Sequence, residues 1–207
     1  MQSFMRVSGR AAPMATPNVD TDVIMPKQFL KGVDRKGLDR GVFFALRFDP
    51  SGRPNPEFIL NRAGWEDARF LVVGPNFGCG SSREHAVWGL SQLGIRALIG
   101  TSFAGIFNDN CHRNGILTVT LPPSQIEGLL ARVGTPEGNA LTIDLPKQTI
   151  AMTADGVKFS FEIEALRKDA LIRGLDAVSA TLVESADLIR TFETGHRAAN
   201  PWFFSDV

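Results

Sequence analysis

The chain has 207 residues, a length that fits one domain with an appended helical tail, and 43% of them are hydrophobic, enough for a core. Its 22 basic and 22 acidic side chains cancel, so the basic excess of a nucleic-acid binder is missing, although a small anion needs only a few local cations. Two cysteines, Cys79 and Cys111, are too few for a disulfide scaffold or a self-sufficient metal cluster; no window approaches the roughly 20 apolar residues of a membrane span, and Met1–Arg10 lacks the apolar run of a signal peptide, so a cytoplasmic protein with no membrane partner is expected.

The first third reads as irregular. Residues 18–30 mix turn formers with apolar side chains, and three prolines punctuate residues 49–57, as suits a surface loop. From Ala68 the pattern sharpens. Phe70–Val73 is a short apolar run expected to form a buried strand, and it stops at Gly74-Pro75 before a glycine-rich turn. Residues 82–93 then read as a helix capped by Ser81 or Ser82. Arg96–Ile99 is expected as a strand, Phe103–His112 as a short helix closed at Asn114-Gly115, Ile116–Leu121 as a third strand, and residues 124–132 as a helix. This alternation predicts an α/β fold with parallel pairing. After Ala140 come strands at Leu141–Leu145, Thr149–Thr153 and Val157–Ile163, the last two joined by a hairpin turn at Ala154-Asp155-Gly156. Two helices are expected to end the chain, Glu164–Arg173 closed by Gly174 and Asp176–Glu193 closed by Gly195. Val178, Leu182, Ile189 and Phe192 would share one face of the second, packed on the sheet or on a partner.

The chemistry concentrates in Gly74–His85, Gly-Pro-Asn-Phe-Gly-Cys-Gly-Ser-Ser-Arg-Glu-His. A strand that delivers a glycine-rich turn and a helix start exposes unpaired N–H groups, an anion pocket. An arginine in the first helical turn opposes the helix dipole, and Arg83 so placed would earn its position by holding a carboxylate. The competing reading is structural, with Gly78 and Gly80 shaping a tight turn, a serine capping the helix and Arg83 solvated. Other phosphate and nucleophile motifs fail here. No lysine precedes the serine as in a phosphate-binding loop, Arg83 stands where a dinucleotide fingerprint needs its third glycine, and no Gly-x-Ser-x-Gly elbow occurs. A zinc site from Cys79, Cys111, His85 and His112 is conceivable by residue type, but neither cysteine sits in a C-x-x-C pair, and no metal site is expected.

The run Asn76–Leu90 (NFGCGSSREHAVWGL) resembles the signature of the small subunit of 3-isopropylmalate dehydratase, an isomerase of the aconitase superfamily. Two further blocks agree in order and spacing: Asn18-Val19-Asp20-Thr21-Asp22-Val23-Ile24 with Pro26 and Phe29-Leu30, and Ser102–Phe107 with Asn110, Asn114 and Gly115. The resemblance covers essentially the whole chain and implies the swivelling β/β/α domain of the aconitase C-terminus, a mixed sheet with flanking helices. It implies one domain over 1–207, with the helical extension at about 164–195. It further implies a partner, a large subunit that carries a 4Fe-4S cluster, in a heterodimer or higher assembly, while this chain holds no cofactor. The substrate would be a small dicarboxylate, 2-isopropylmalate interconverting with 3-isopropylmalate through an alkene in leucine biosynthesis.

By position in this motif, Ser81 corresponds to the family's catalytic serine, and Ser82 and Arg83 to substrate contacts. Arg35 lies about where the superfamily places a further substrate arginine; a solvated loop charge is the competing reading. Asp20, Thr21 and Asp22 read either as part of the site or as a turn with side-chain-to-backbone bonds. His85 reads as a structural support for the loop, and His112 as a helix-end cation. The stretch Lys31–Arg40 is the segment expected to set selectivity. A related malate derivative (citramalate or homocitrate) and a non-catalytic carboxylate- or phosphate-binding module are the rival functions.

Overall fold

The computed structural model describes residues 1–31 and 35–204. One seven-stranded mixed sheet runs in the order β4-β3-β2-β1-β5-β6-β7, built from β1 (Arg6–Met14), β2 (Phe70–Val73), β3 (Ala97–Gly100), β4 (Leu117–Thr120), β5 (Ala140–Asp144), β6 (Thr149–Met152) and β7 (Lys158–Ser160). The helices are α1 (Thr21–Ile24), α2 (Phe44–Arg47), α3 (His85–Gln92), α4 (Gly105–Arg113), α5 (Pro123–Val133), α6 (Ala165–Arg173), α7 (Ala177–Glu184) and α8 (Ala186–Ala199).

The central strand, β1, was not expected, and it joins two unlike half-sheets. Ala11–Met14 pair parallel with β2, while Arg6–Arg10 pair antiparallel with β5. On the parallel side β2 and β3 are buried at every position, as strands covered on both faces must be. Their alternate side chains divide between two cores. Leu71, Val73 and Leu98 join Val87, Leu90, Phe107 and Cys111 under α3 and α4, whereas Phe70, Val72 and Ile99 join Ile126, Leu129 and Val133 of α5 and Leu171 of α6. On the antiparallel side β5 to β7 alternate buried with more exposed positions, the mark of a half-sheet packed on one face.

Two expectations about helices fail. The helix after the glycine-rich turn begins at His85 rather than at the serines, with Glu84 as its N-cap in helical backbone geometry and no side-chain capping bond. The last helix is two helices, since the chain breaks at Ser185, and the second runs past Gly195 to Ala199. Asp176 does start α7, accepting the N–H of Ser179 at 2.7 Å. Neither α7 nor α8 buries a residue. The apolar face expected to pack on the sheet or on a partner does not meet the sheet: Val178, Leu182 and Phe192 are exposed in this chain and Ile189 is half-buried.

Candidate active site

The three sequence blocks meet because each follows the C-terminal end of one of three adjacent parallel strands, where open α/β sheets place their ligand sites. The segment after β1 runs beside the segment after β2. Gly78 N–H donates to the carbonyl of Val19 and Thr21 N–H to that of Cys79, both at 2.8 Å, and Asp20 and Cys79 form an isolated parallel bridge. The segment after β3 closes the other side, with Ala104 N–H donating to the Phe77 carbonyl at 3.1 Å and Asn76 N–H to Ser102 Oγ at 2.9 Å. Gly78 makes this tight crossing possible. Its φ is +79°, and a Cβ there would lie 2.1 Å from the ring of the buried Phe107.

In the turn itself, Ser81 N–H donates to Thr21 Oγ1 at 3.0 Å, which ties the serine's backbone to the first block. Ser81 Oγ is left free of any capping role. It accepts from Arg83 Nε at 2.8 Å and from Arg83 N–H at 3.3 Å. Arg83 therefore precedes the helix rather than opposing its dipole from within the first turn, and it is not merely solvated. Its Nη2 donates to Asp22 Oδ1. A guanidinium has five N–H donors. With Nε on the serine and one Nη2 hydrogen on Asp22, the remaining donors can meet a carboxylate, and Asp22 fixes the plane in which they lie.

The neighbours are supports. Asp20 Oδ1 accepts Val23 N–H at 2.7 Å and caps α1, the side-chain-to-backbone bond of a turn. Ser82 is exposed, and its carbonyl accepts from Asn110 Nδ2 at 3.2 Å. Glu84 Oε1 accepts from Asn114 Nδ2 at 2.6 Å, so α4 and the Asn114 that caps its C-terminus brace the turn at two points. Gly80, with φ +97°, follows Cys79 in the left-handed region. His85 packs its ring on Trp88, centroids 4.6 Å apart. Arg35 is exposed, and its guanidinium lies 4.0 Å above the same indole. Residues 32–34 of the stretch expected to set selectivity lie outside the described residues.

His112 is not the helix-end cation that its position suggested. Burial, with Arg167 nearby, pushes its pKa down to about 4 against the opposing pull of Asp109. Its Nε2 meets Thr118 Oγ1 at 2.9 Å while Nδ1 is buried with no hydrogen bond among the described residues. Cys111 is fully buried, which drives its thiol pKa well up, and Cys79 lies half-buried in the turn. Among the described residues no three His, Cys, Asp or Glu side chains gather as a metal-binding group.

Residues 1–124 match the family described as aconitase C-terminal domain, and residues 127–165 match LeuD_N. The 3-isopropylmalate dehydratase small subunit 1 of Mannheimia succiniciproducens is 58% identical over 202 residues, covering 98% of each chain. Small subunit 2 of Salmonella typhimurium is 54% identical over 98% of this chain and 96% of its own. The chain belongs to the 3-isopropylmalate dehydratase small-subunit family. A crystal structure of 3-isopropylmalate dehydratase from Methanocaldococcus jannaschii has the same fold, with a TM-score of 0.65 and 28% identity over 91% of this chain and 99% of that one. The swivelling β/β/α architecture expected from the motif is therefore the one this dehydratase small-subunit chain adopts. Sequence reasoning missed two residues around its candidate site. Lys27 Nζ stands 3.7 Å from Asp22 Oδ2, and Gln92, on the same face of α3 as His85, accepts Leu38 N–H at 2.9 Å and donates to the Arg35 carbonyl. Only the second left a trace in the sequence, as a polar residue seven positions after His85.

Proposed function

We propose that the chain works as half of a two-subunit hydro-lyase that interconverts 2-isopropylmalate and 3-isopropylmalate by dehydration and rehydration in leucine biosynthesis. In this reading Ser81 moves the proton, Arg83 holds a substrate carboxylate, and Ser82, exposed at the same turn, adds a hydroxyl contact. The carrying observation is the Arg83 guanidinium seated on Ser81 Oγ at 2.8 Å while Asp22 holds its far edge. A serine is a weak base unless its alkoxide is stabilised. A cation donating directly to Oγ supplies that, and the backbone N–H of Arg83 adds a second donor. The proton leaves the carbon next to the carboxylate for Ser81 Oγ. On rehydration it is delivered to the neighbouring carbon, the one that lost the hydroxyl, while the hydroxyl adds to the carbon that lost the proton.

Departure of the hydroxyl from the neighbouring carbon needs an acid, and a Lewis-acid cluster in the partner is the chemistry that the family resemblance supplies. The donors of this chain do not fit such a cluster, since Cys111 is sealed in the core and Cys79 has no companion ligands among the described residues. We therefore assign the 4Fe-4S cluster to the large subunit and derive no step through it. With a soluble dicarboxylate as substrate, the reading places the assembly in the cytoplasm. The test is reconstitution. The purified chain should be colourless and inactive on 3-isopropylmalate, with activity appearing on mixing with the large subunit. Substantial turnover by this chain alone after metals are stripped would sink the two-subunit reading, and a panel of malate derivatives fixes the substrate.

A further inference from the structure

Asn110 lies inside α4, on a helix that also buries Phe107 and Cys111, and is only 6% exposed. A buried amide costs free energy unless it is bonded, and a side chain of this kind within a helix commonly bonds back to its own backbone. Asn110 reaches away from its helix instead. Its Nδ2 donates at 3.2 Å to the carbonyl of Ser82, 28 residues distant. That carbonyl and the Arg83 N–H are the two ends of one trans peptide group, coplanar and pointing in opposite directions. The N–H end donates to Ser81 Oγ at 3.3 Å. A bond on the carbonyl therefore fixes the plane that aims the N–H, and it polarises the group so that the N–H becomes a better donor. Asn114, one helical turn on, secures the other side of Arg83. Its Nδ2 donates to Glu84 Oε1 at 2.6 Å and to the Asn110 carbonyl at 2.8 Å. Ser82 and Glu84 are thus both tied to α4 and its cap, and Arg83 stands between them.

We propose that Asn110 is a positioning residue for the proton transfer: by holding the Ser82 carbonyl it aims the Arg83 N–H at the Ser81 oxygen. The inference rests on the reading of Ser81 as the base and adds to it the residue that orients the second donor of that base. At 3.3 Å the N–H bond is long, as suits a donor that closes in when negative charge gathers on Oγ. An interaction that strengthens in this way raises kcat and leaves ground-state binding alone. The Arg83 side chain does not depend on α4 for its own place. Its Nε is already 2.8 Å from Oγ, and Asp22 holds its far edge. Asn110 therefore acts on the rate, and it acts through Ser81.

The experiment uses the small subunit assembled with its large subunit and reads kcat and KM for 3-isopropylmalate. Asn110→Leu, which has no hydrogen to donate, should lower kcat about 3- to 10-fold, the range of one neutral hydrogen bond, with KM within about twofold. Asn110→Asp keeps the shape but only accepts when ionised, so at neutral pH it should lower kcat at least as far. As pH falls through the pKa of the new carboxyl, an O–H donor returns, and kcat relative to wild type should climb. In a Ser81→Ala background, Asn110→Leu should change kcat less than about twofold, because the oxygen through which it acts is gone. Should Asn110→Leu fail to assemble, the pH dependence of Asn110→Asp carries the test, and a ratio that stays flat with pH overturns the proposal. If both variants keep kcat within about twofold while Ser81→Ala loses it, the positioning role is wrong and the base stands. A rise in KM larger than the fall in kcat, or a full further loss in the Ser81→Ala background, makes Asn110 a packing residue and overturns the proposal as well. A Ser81→Ala enzyme that keeps its kcat would instead strike the underlying reading of the turn.

Discussion

Replacing Arg83 by lysine separates the two tasks assigned to it. The guanidinium donates to Ser81 Oγ from Nε at 2.8 Å, whereas the 3.3 Å bond to the same oxygen comes from the Arg83 backbone and survives substitution. A hydrogen bond from a charged donor contributes about 1.5–3 kcal/mol, so losing it should lower kcat by about 10- to 150-fold. KM should rise too, because an ammonium lacks the planar fork that spans a carboxylate while remaining bonded to Asp22. Ser81→Ala should cost kcat about 10²–10⁴-fold with KM little changed. The turn survives that change, since Thr21 Oγ1 holds the Ser81 backbone N–H and not its side chain. The decisive variant is the double one. If Arg83 aids the chemical step only through Ser81 Oγ, adding Arg83→Lys to Ser81→Ala should raise KM but lower kcat no further. The assay is alkene formation from 3-isopropylmalate by the reconstituted enzyme, followed in the ultraviolet. A further 10-fold or greater fall in kcat in the double variant, or a Ser81→Ala enzyme keeping more than about a third of its kcat, would refute the pairing.

Gly78→Ala should destabilise the chain by about 2–5 kcal/mol in urea unfolding, because its Cβ would meet the Phe107 ring at 2.1 Å in a left-handed backbone. Gly80→Ala, whose nearest contact would be 3.3 Å away, should cost about 1–2 kcal/mol, and a reversed order would show that the crossing is not as tight as described. His112 is held neutral, with its folded pKa lowered from 6.5 to about 4, so its contribution is complete above pH 6.5 and is lost as pH falls towards 4. The loss should total about 3 kcal/mol, and His112→Gln should flatten the stability profile over that window; an unchanged slope would show that another group titrates there. Deleting residues 177–204 should leave the unfolding free energy within about 1 kcal/mol, since α7 and α8 bury nothing, and a chain that fails to fold would show that they do.

What was legible in the sequence was what is local. Phe70–Val73 and Ala97–Gly100 announce themselves because a strand buried on both faces is an unbroken apolar run. The central strand hides for the opposite reason. Arg6–Met14 contains Gly9, Arg10, Ala11, Ala12 and Pro13, poor strand formers that fold as a strand because β2 and β5 flank them. The candidate site divides along the same line. The turn Gly74–His85 reads directly, but the serine in it looked like a helix cap, because the Arg83 side chain that occupies its Oγ leaves no mark in residue spacing. Asp22 and Arg83 are 61 residues apart, and nothing in either neighbourhood names the other. Their meeting is a consequence of topology. Adjacent parallel strands deliver successive loops to one edge of the sheet, and here β1, β2 and β3 deliver the three motif blocks in spatial succession. An apolar face tells only that something must cover it, which is why Val178, Leu182 and Phe192 pointed equally to the sheet and to a partner, and in this chain they do not reach the sheet. Motif blocks in the right order thus give the chemistry its vocabulary, and the parallel half-sheet decides which residues come within hydrogen-bonding reach.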